Sequence, residues 1–197
     1  MVQTDRTIAR ILKVNHAGEY GAIRIYRAQL WMARHLYPDI VDFLETTLEH
    51  EIRHCSAFHQ AMPRWSARPC RIMALWGNGG WALGFVTALI GRNSIWICTA
   101  AVEAAVHRHL EDQLVFLHDK ASDLHQLISD IQLEEQEHLR YAKQRISHHG
   151  FWVEFLTWTI TLSTEIAIWL STWGESTRMA QTLKRQATDL KESAVAE

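Results

Sequence analysis

Proline is scarce in this chain, three residues in 197, and glycine numbers only nine. So few breakers leave long uninterrupted stretches, which disfavours a fold of many short strands and turns. Charge of one sign is also missing: 20 Lys and Arg face 22 Asp and Glu, a formal net charge of -2. The cations are spread along the chain, so there is no electrostatic footprint for nucleic acid. Cysteine is limited to Cys55, Cys70 and Cys98, an odd number without a C-x-x-C spacing. That excludes a disulfide framework and fits small buried apolar residues in a reducing, cytoplasmic compartment. The opening Met-Val-Gln-Thr-Asp-Arg does not read as a secretory signal, which needs a basic segment followed by an apolar run.

What is present is apolar. Residues are 48% hydrophobic and 21% charged, a globular balance, and there are nine tryptophans. The length suits one domain with a core of its own. Apolar residues recur at helical spacing through Ile8, Ile11, Leu12, Ala22, Ile25, Tyr26 and Leu30, predicting a first helix from Thr4 to about Leu36. Tyr37-Pro38-Asp39 should end it, and a second helix should run from Asp39 to about Met62, before Pro63. Further helices are expected from Ser94, as its cap, to His118; from Asp123 to about Ser147, closed by His148-His149-Gly150; and from Phe151 to Trp173. The domain is read as residues 1–174, with apolar segments at 72–91 and 151–173; residues 175–197 form a polar tail.

One pattern occurs twice. Glu19 is followed 32 residues later by Glu51-x-x-His54, and Glu103 is followed 32 residues later by Glu135-x-x-His138, with an 84-residue offset at every position. No other Glu-x-x-His exists in the chain. Positions i and i+3 share a helix face, so each such pair can present a carboxylate and an imidazole to one point. The midpoints, His35 and Asp119, fall at the two predicted turns, so equal hairpin arms bring the groups to one height. Two hairpins packed together would converge four carboxylates and two imidazoles in a four-helix bundle. This is the ligand arrangement described for ferritin-like di-iron and di-manganese carboxylate proteins. Four unpaired buried carboxylates would cost several kcal/mol each, and two divalent cations cancel them. Most single Glu-x-x-His motifs are surface charges; the doubled spacing is what favours a two-metal site at Glu19, Glu51, His54, Glu103, Glu135 and His138. Mixed O and N donors suit Fe, Mn or Zn, and a carboxylate-rich pair with room for oxygen is typical of iron. Gly18 and Gly21 either leave that room or allow close helix packing. His107 and His109 are candidates to lie just behind the ligands, although most helix histidines are solvated; His148 and His149, at a helix end, need only the dipole to explain them.

Ile72 to Gly91 runs 20 residues without a formal charge and has the length of a membrane span. A single crossing would strand the two hairpins on opposite sides of the bilayer, so the segment must enter and leave on one side. Its five glycines suggest a bent or interfacial element. Trp76, Trp81, Trp96, Trp152, Trp158, Trp169 and Trp173 lie in or beside the two apolar stretches, where such rings favour the headgroup zone. Arg64, Arg68, Arg71 and Arg92 flank the first stretch and are expected to meet anionic lipid. Packing on the bundle or on a second subunit is the alternative, and membrane association is the favoured reading.

The segments ILKVNHAGEYGAIRIYRAQ at 11–29, LGFVTALIGRNSIWICTAAVEAAVHRHLEDQL at 83–114 and LEEQEH at 133–138 resemble the demethoxyubiquinone hydroxylases of ubiquinone biosynthesis. The resemblance covers most of residues 10–173. It implies an all-α, ferritin-like bundle with a long crossover helix between the hairpins and an extra aromatic C-terminal helix. It further implies a peripheral membrane di-iron monooxygenase on the cytoplasmic face of the cell membrane, with two Fe ions as cofactors. The substrate would be a polyprenylated benzoquinone, hydroxylated with O2 and with NADH as a candidate donor of electrons. A homo-oligomer or a lipid-binding accessory protein would be its partner. The family's ligands fall on the six residues named above, and its histidine after the third carboxylate on His109. Three positions depart from the family pattern: Asn15 replaces the usual aspartate before HAGE, Leu110 replaces a tyrosine, and Leu139-Arg140-Tyr141 replaces acidic residues. The rival readings are a ferritin-like enzyme with another substrate, such as a tRNA base, and a non-catalytic membrane-associated metal-binding protein.

Overall fold

The computed structural model describes residues 3–147, 150–174, 176–178 and 180–181. Six α-helices fill most of them: α1 (Gln3–Leu36), α2 (Val41–Ala61), α3 (Met73–Ile90), α4 (Arg92–Leu117), α5 (Ser122–Lys143) and α6 (Phe151–Thr172). No strand occurs among the described residues. His148, His149 and most of the 175–197 tail lie outside them, and so do the expectations for those positions.

The breakers act where the sequence places them. Pro38 opens a short 3-10 turn, Pro38–Ile40, between α1 and α2, and Pro63 opens another, Pro63–Trp65, after α2. Asp5 sits in the first turn of α1 and Arg34 and His35 in its last, each charge matched to the helix dipole. Two boundaries differ from expectation. Ser94 caps nothing: α4 already begins at Arg92, with Gly91 as the residue before it at φ 147°. That φ disfavours a side chain, and it lets α3 turn into α4 through a single residue. α5 stops at Lys143, four residues before Ser147.

Each half of the chain packs in the same order. α1 lies against α2 and α3, and α4 lies against α5 and α6; the halves meet where α1 approaches α4 and α2 approaches α5. All six ligand candidates sit between two apolar layers. One layer contains Tyr26, Leu30, Leu44, Ile95 and Trp96, the other Leu12, Phe58, Leu110, Leu117 and Ile128. Ile25, Cys98, Val102 and Ile160 join α1, α4 and α6 alongside.

The crossover is a regular helix, not a bent element. Its glycines form a seam against α1: a Cβ on Gly80 would stand 2.4 Å from the Gly21 carbonyl oxygen, and one on Gly84 would stand 2.3 Å from that of Ile25. Small residues allow this approach of two backbones. α3 remains long and apolar enough to cross a membrane by length and composition, but this face is committed to α1. Trp96, expected near lipid, is buried against Phe43 in an edge contact. Two of the flanking arginines are also occupied: Arg92 pairs with Asp39 at 2.6 Å, and Arg64 pairs with Asp123. Cys70 and Cys98 are buried as expected, whereas Cys55 is half-buried; all three are free thiols.

Because the seam is backbone against backbone, Gly84→Ala should destabilise the fold by about 1–3 kcal/mol, the usual range for overpacking. Gly79, whose added Cβ would meet nothing within 4 Å, is the control: Gly79→Ala should stabilise by up to about 1 kcal/mol through helix propensity. Urea unfolding of the two variants checks this, and equal shifts would contradict the seam.

Candidate metal centre

Glu19 and Glu103 project from α1 and α4, Glu51 and His54 from α2, and Glu135 and His138 from α5. All six are at least nine-tenths buried. Their donor atoms form two overlapping groups, each within 4.8 Å: Glu19, Glu51, His54 and Glu135 in one, and Glu51, Glu103, Glu135 and His138 in the other. Glu51 and Glu135 belong to both. Sharing of this kind would let Glu51 and Glu135 serve both positions of a two-metal site, with a further carboxylate and an imidazole for each.

Both imidazoles face the carboxylates through Nδ1. His54 Nδ1 lies 3.0 Å from Glu135 Oε1 and 3.9 Å from Glu19 Oε2. His138 Nδ1 lies 3.2 Å from Glu135 Oε2 and 3.7 Å from Glu51 Oε1. One carboxylate oxygen, Glu51 Oε1, is buried without a hydrogen-bond donor. Tyr26, fully buried, donates its hydroxyl to Glu103 Oε1 at 2.7 Å.

The electrostatics describe a site that lacks positive charge. Burial, then the charge of Glu135, raises Glu19 to about 7. Burial and the neighbouring carboxylates push Glu51 and Glu103 well above the ordinary range. Glu19 with Glu51, and Glu103 with Glu135, lie close enough to share a proton. Burial opposes ionisation of Glu135 too, but hydrogen bonds from His138 and His54 overcome it and hold that carboxyl low. For His54 burial favours the neutral ring, yet the hydrogen bond to Glu135 and the charges of Glu19, Glu135 and Glu134 raise it to about 9. Protons thus do in part what divalent cations would do completely. The donor set, the unpartnered Glu51 oxygen and the carboxylate excess all fit a pair of such cations, and the six residues can hold metal.

The two histidines that follow Glu103 do not join this cluster. His107 Nε2 pairs with Glu111 at 3.2 Å, and His109 Nε2 meets Glu165 of α6 at 2.8 Å. His109 lines the cavity instead. The residues that do stand behind the ligands are His50 and Glu134, which spacing alone does not single out. Glu134 Oε2 is 3.2 Å from His54 Nε2, and His50 Nδ1 is 3.0 Å from His138 Nε2. Their signal is positional: each immediately precedes the Glu of a Glu-x-x-His.

A cavity of about 530 Å³ opens beside the carboxylates, between α1, α3, α4 and α6. Glu19, Glu51, Glu103 and Glu135 reach its floor, while Trp76, Leu83, Val102, Ile168 and other apolar side chains make the walls. The two glycines beside Glu19 divide their roles. A Cβ at Gly18 would meet nothing within 4 Å, so Gly18 keeps space open, whereas one at Gly21 would strike Trp76 at 2.8 Å. Asn15 and Gln113, both buried, exchange amide hydrogen bonds of 2.7 and 2.9 Å and also line the cavity. Leu110 is a buried apolar wall residue, and Tyr141 stacks on Phe43 away from the site.

Comparison with known proteins gives a consistent grouping. A family model described as "Ubiquinone biosynthesis protein COQ7" matches residues 6–171. The chain is 36% identical over 166 residues to the 3-demethoxyubiquinol 3-hydroxylase of Rhodospirillum rubrum, covering 83% of this chain and 77% of that one. It is 31% identical over 168 residues to the mitochondrial NADPH-dependent 3-demethoxyubiquinone 3-hydroxylase of Dictyostelium discoideum, covering 84% and 76%. The mouse enzyme of the same name is 35% identical over 135 residues, covering 66% of this chain and 61% of its own length.

The raised carboxyls set a pH dependence for the metal-free protein. Glu19, Glu51 and Glu103 have folded values above the ordinary 4.5, so the native state binds more protons than the unfolded chain, and stability falls as pH rises from about 4.5 through 7. His54, with a folded value of about 9 against 6.5, acts in the same direction at higher pH. Glu135, held low, loses its contribution only below 4.5. Chelator-treated protein should therefore show a lower Tm at pH 8 than at pH 5, and Mn(II) should raise the Tm more at pH 8. A Tm that climbs over that interval without metal would contradict the buried carboxylate cluster.

Proposed function

We propose that this chain, which belongs to the ubiquinone biosynthesis protein COQ7 family, is a di-iron monooxygenase that hydroxylates the ring of a demethoxyubiquinone-type polyprenyl quinone. The observation that carries the reading is the pair of overlapping ligand groups, sharing Glu51 and Glu135, at the floor of an apolar cavity. A non-catalytic metal-binding protein has no use for such an access route. Glu19, Glu51, His54 and Glu135 would hold one iron, and Glu51, Glu103, Glu135 and His138 the other. The irons would supply the oxygen-activating redox chemistry that no side chain here provides, with electrons from a reduced nicotinamide such as NADH.

The chain's own residues bind, orient and dry the site. The cavity walls exclude water and accept a flat ring with its apolar tail, and the Asn15–Gln113 amide pair offers the remaining N–H of each side chain to ring oxygens. Asn15 stands where the family usually carries aspartate, and its reciprocal amide pairing with Gln113 satisfies the side chain without a charge. The Tyr26 hydroxyl keeps a proton at Glu103 Oε1 and fixes that carboxylate's orientation. Leu110 makes the wall apolar where relatives place a hydroxyl.

The outer faces of α3 and α6 support a location at a membrane surface. Phe151, Trp152, Trp158, Trp169 and Trp173 are exposed on or just beyond α6, and Leu75, Trp81, Val86 and Leu89 on α3. Both helices line the cavity, so an aromatic face resting in the headgroup zone of the cytoplasmic leaflet would put the cavity wall against the lipid that holds the prenyl tail. A lipid-binding accessory protein or a second copy of the chain would cover the same face.

Iron-loaded protein incubated with demethoxyubiquinone, NADH and 18O2 should yield a quinone carrying one 18O atom, read by mass spectrometry; no labelled product from protein containing two irons would overturn the reading. In a flotation assay with anionic vesicles the protein should float, and Trp152→Ser with Trp158→Ser should reduce the bound fraction by about 10-fold or more, since each buried ring contributes on the order of 1–3 kcal/mol. Unchanged flotation would remove α6 from the membrane face.

A further inference from the structure

The 84-residue repeat that relates Glu51 to Glu135 and His54 to His138 also relates His50 to Glu134, and Tyr26 to Leu110. The fold makes these equivalent positions face equivalent tasks. Each ligand histidine turns Nδ1 toward the carboxylates and Nε2 outward, and Nε2 meets the residue just before the Glu of the opposite helix: His54 meets Glu134, and His138 meets His50. The repeat is preserved in place and broken in chemistry. On one side the outer partner is a carboxylate, on the other a second imidazole.

The terminal carboxylates are broken in the same way. Glu103 accepts the Tyr26 hydroxyl at 2.7 Å. The position equivalent to Tyr26 in the repeat is the buried hydrocarbon Leu110, which has no proton to give.

We propose that His50 and Glu134 are positioning residues that make the two metal positions unequal, the Glu19/His54 position being the stronger. This rests on the metal-centre reading above. When Nδ1 gives its lone pair to a cation, the ring proton sits on Nε2 and must be accepted there. Glu134 Oε2 accepts it from His54 with full negative charge behind it, which raises the basicity of the ligating Nδ1. His50 Nδ1 accepts it from His138 with only a neutral lone pair. Glu134 Oε2 also accepts from Arg53 at 2.6 Å and lies 3.2 Å from His50 Nδ1; while that nitrogen accepts from His138, its lone pair faces the carboxylate without a hydrogen bond, which further disfavours the His138 position. Glu103 shares one oxygen with the Tyr26 hydroxyl, and Leu110, at the equivalent place in the repeat, makes no such demand on Glu19. Both differences favour the same position.

The test is an anaerobic titration of the full-length metal-free protein with Mn(II), followed by calorimetry and by EPR of the bound ion. The expected result is two resolved steps, an isolated Mn(II) signal after the first and a coupled pair after the second. Glu134→Gln, which keeps an acceptor and removes the charge, should weaken the first step by about 10–100-fold and leave the second within a few-fold. His50→Leu, which removes the acceptor, should weaken only the second by a similar factor, and His50→Gln should restore it. Circular dichroism identifies any variant that fails to fold, and Glu134→Asp then replaces Glu134→Gln in the comparison. Two equal steps in the native protein, or a Glu134→Gln loss spread equally over both, would overturn the inequality while leaving the metal centre intact. Failure of the native protein to bind two ions would overturn the metal-centre reading itself.

Discussion

Four carboxylates share one dry layer of this protein, and their mutual repulsion is the constraint on which the remaining structure depends. Desolvation and like charge push Glu19, Glu51 and Glu103 toward their protonated forms, while His54 and His138 hold Glu135 ionised. A bundle core of this size would be more stable with leucine at all four positions. The layer persists because apolar blocks on either side, around Leu44 and Ile95 at one end and Phe58 and Ile128 at the other, hold the four helices whatever happens between them. Stability is located above and below the site, and charge is located within it.

The same division explains the two additional helices. α3 and α6 take no part in holding the carboxylates; they close the open side of α1 and α4 and leave a cavity down to the ligands. α3 achieves this by close approach, through Gly80 and Gly84 against the backbone of α1. α6 is attached more lightly, by Ile160, by the Trp76 indole donating to Ser171 at 2.8 Å, and by the Arg108 and His109 contacts to Glu165. Its outward aromatic face remains unpartnered, and the wall nearest the proposed membrane is thus the less firmly fixed of the two.

The ligand set was legible because helices impose a fixed arithmetic. Spacing of three residues within a helix and equal arms about His35 and Asp119 leave the six groups little choice but to meet. The outer partners were not legible, because an Nε2 contact between His138 and His50 crosses from α5 to α2 and follows no periodicity. The glycines at 77–84 misled for a related reason. A glycine run is compatible with a bend, a membrane surface or a tight helix pair, and only the position of the Gly21 and Ile25 carbonyls selects the last. Trp96 was grouped with the lipid-seeking tryptophans by neighbourhood in sequence, although the helix turns it inward against Phe43.

What the sequence determined by itself was the set of four helices that carry the repeated pattern, the pairing of the two hairpins and the identity of the inward-facing acids and imidazoles, since all of these follow from local periodicity and from a repeat of 84 residues. The tertiary structure decided which sides of the two halves are unlike. His50 and Glu134 occupy matching places in the repeat, as do Tyr26 and Leu110, yet what each does depends on the atom that another helix brings against it. Distance across helices is not written in spacing along one of them; it arises from how closely α1 and α4 approach and how α2 meets α5, and packing alone sets those.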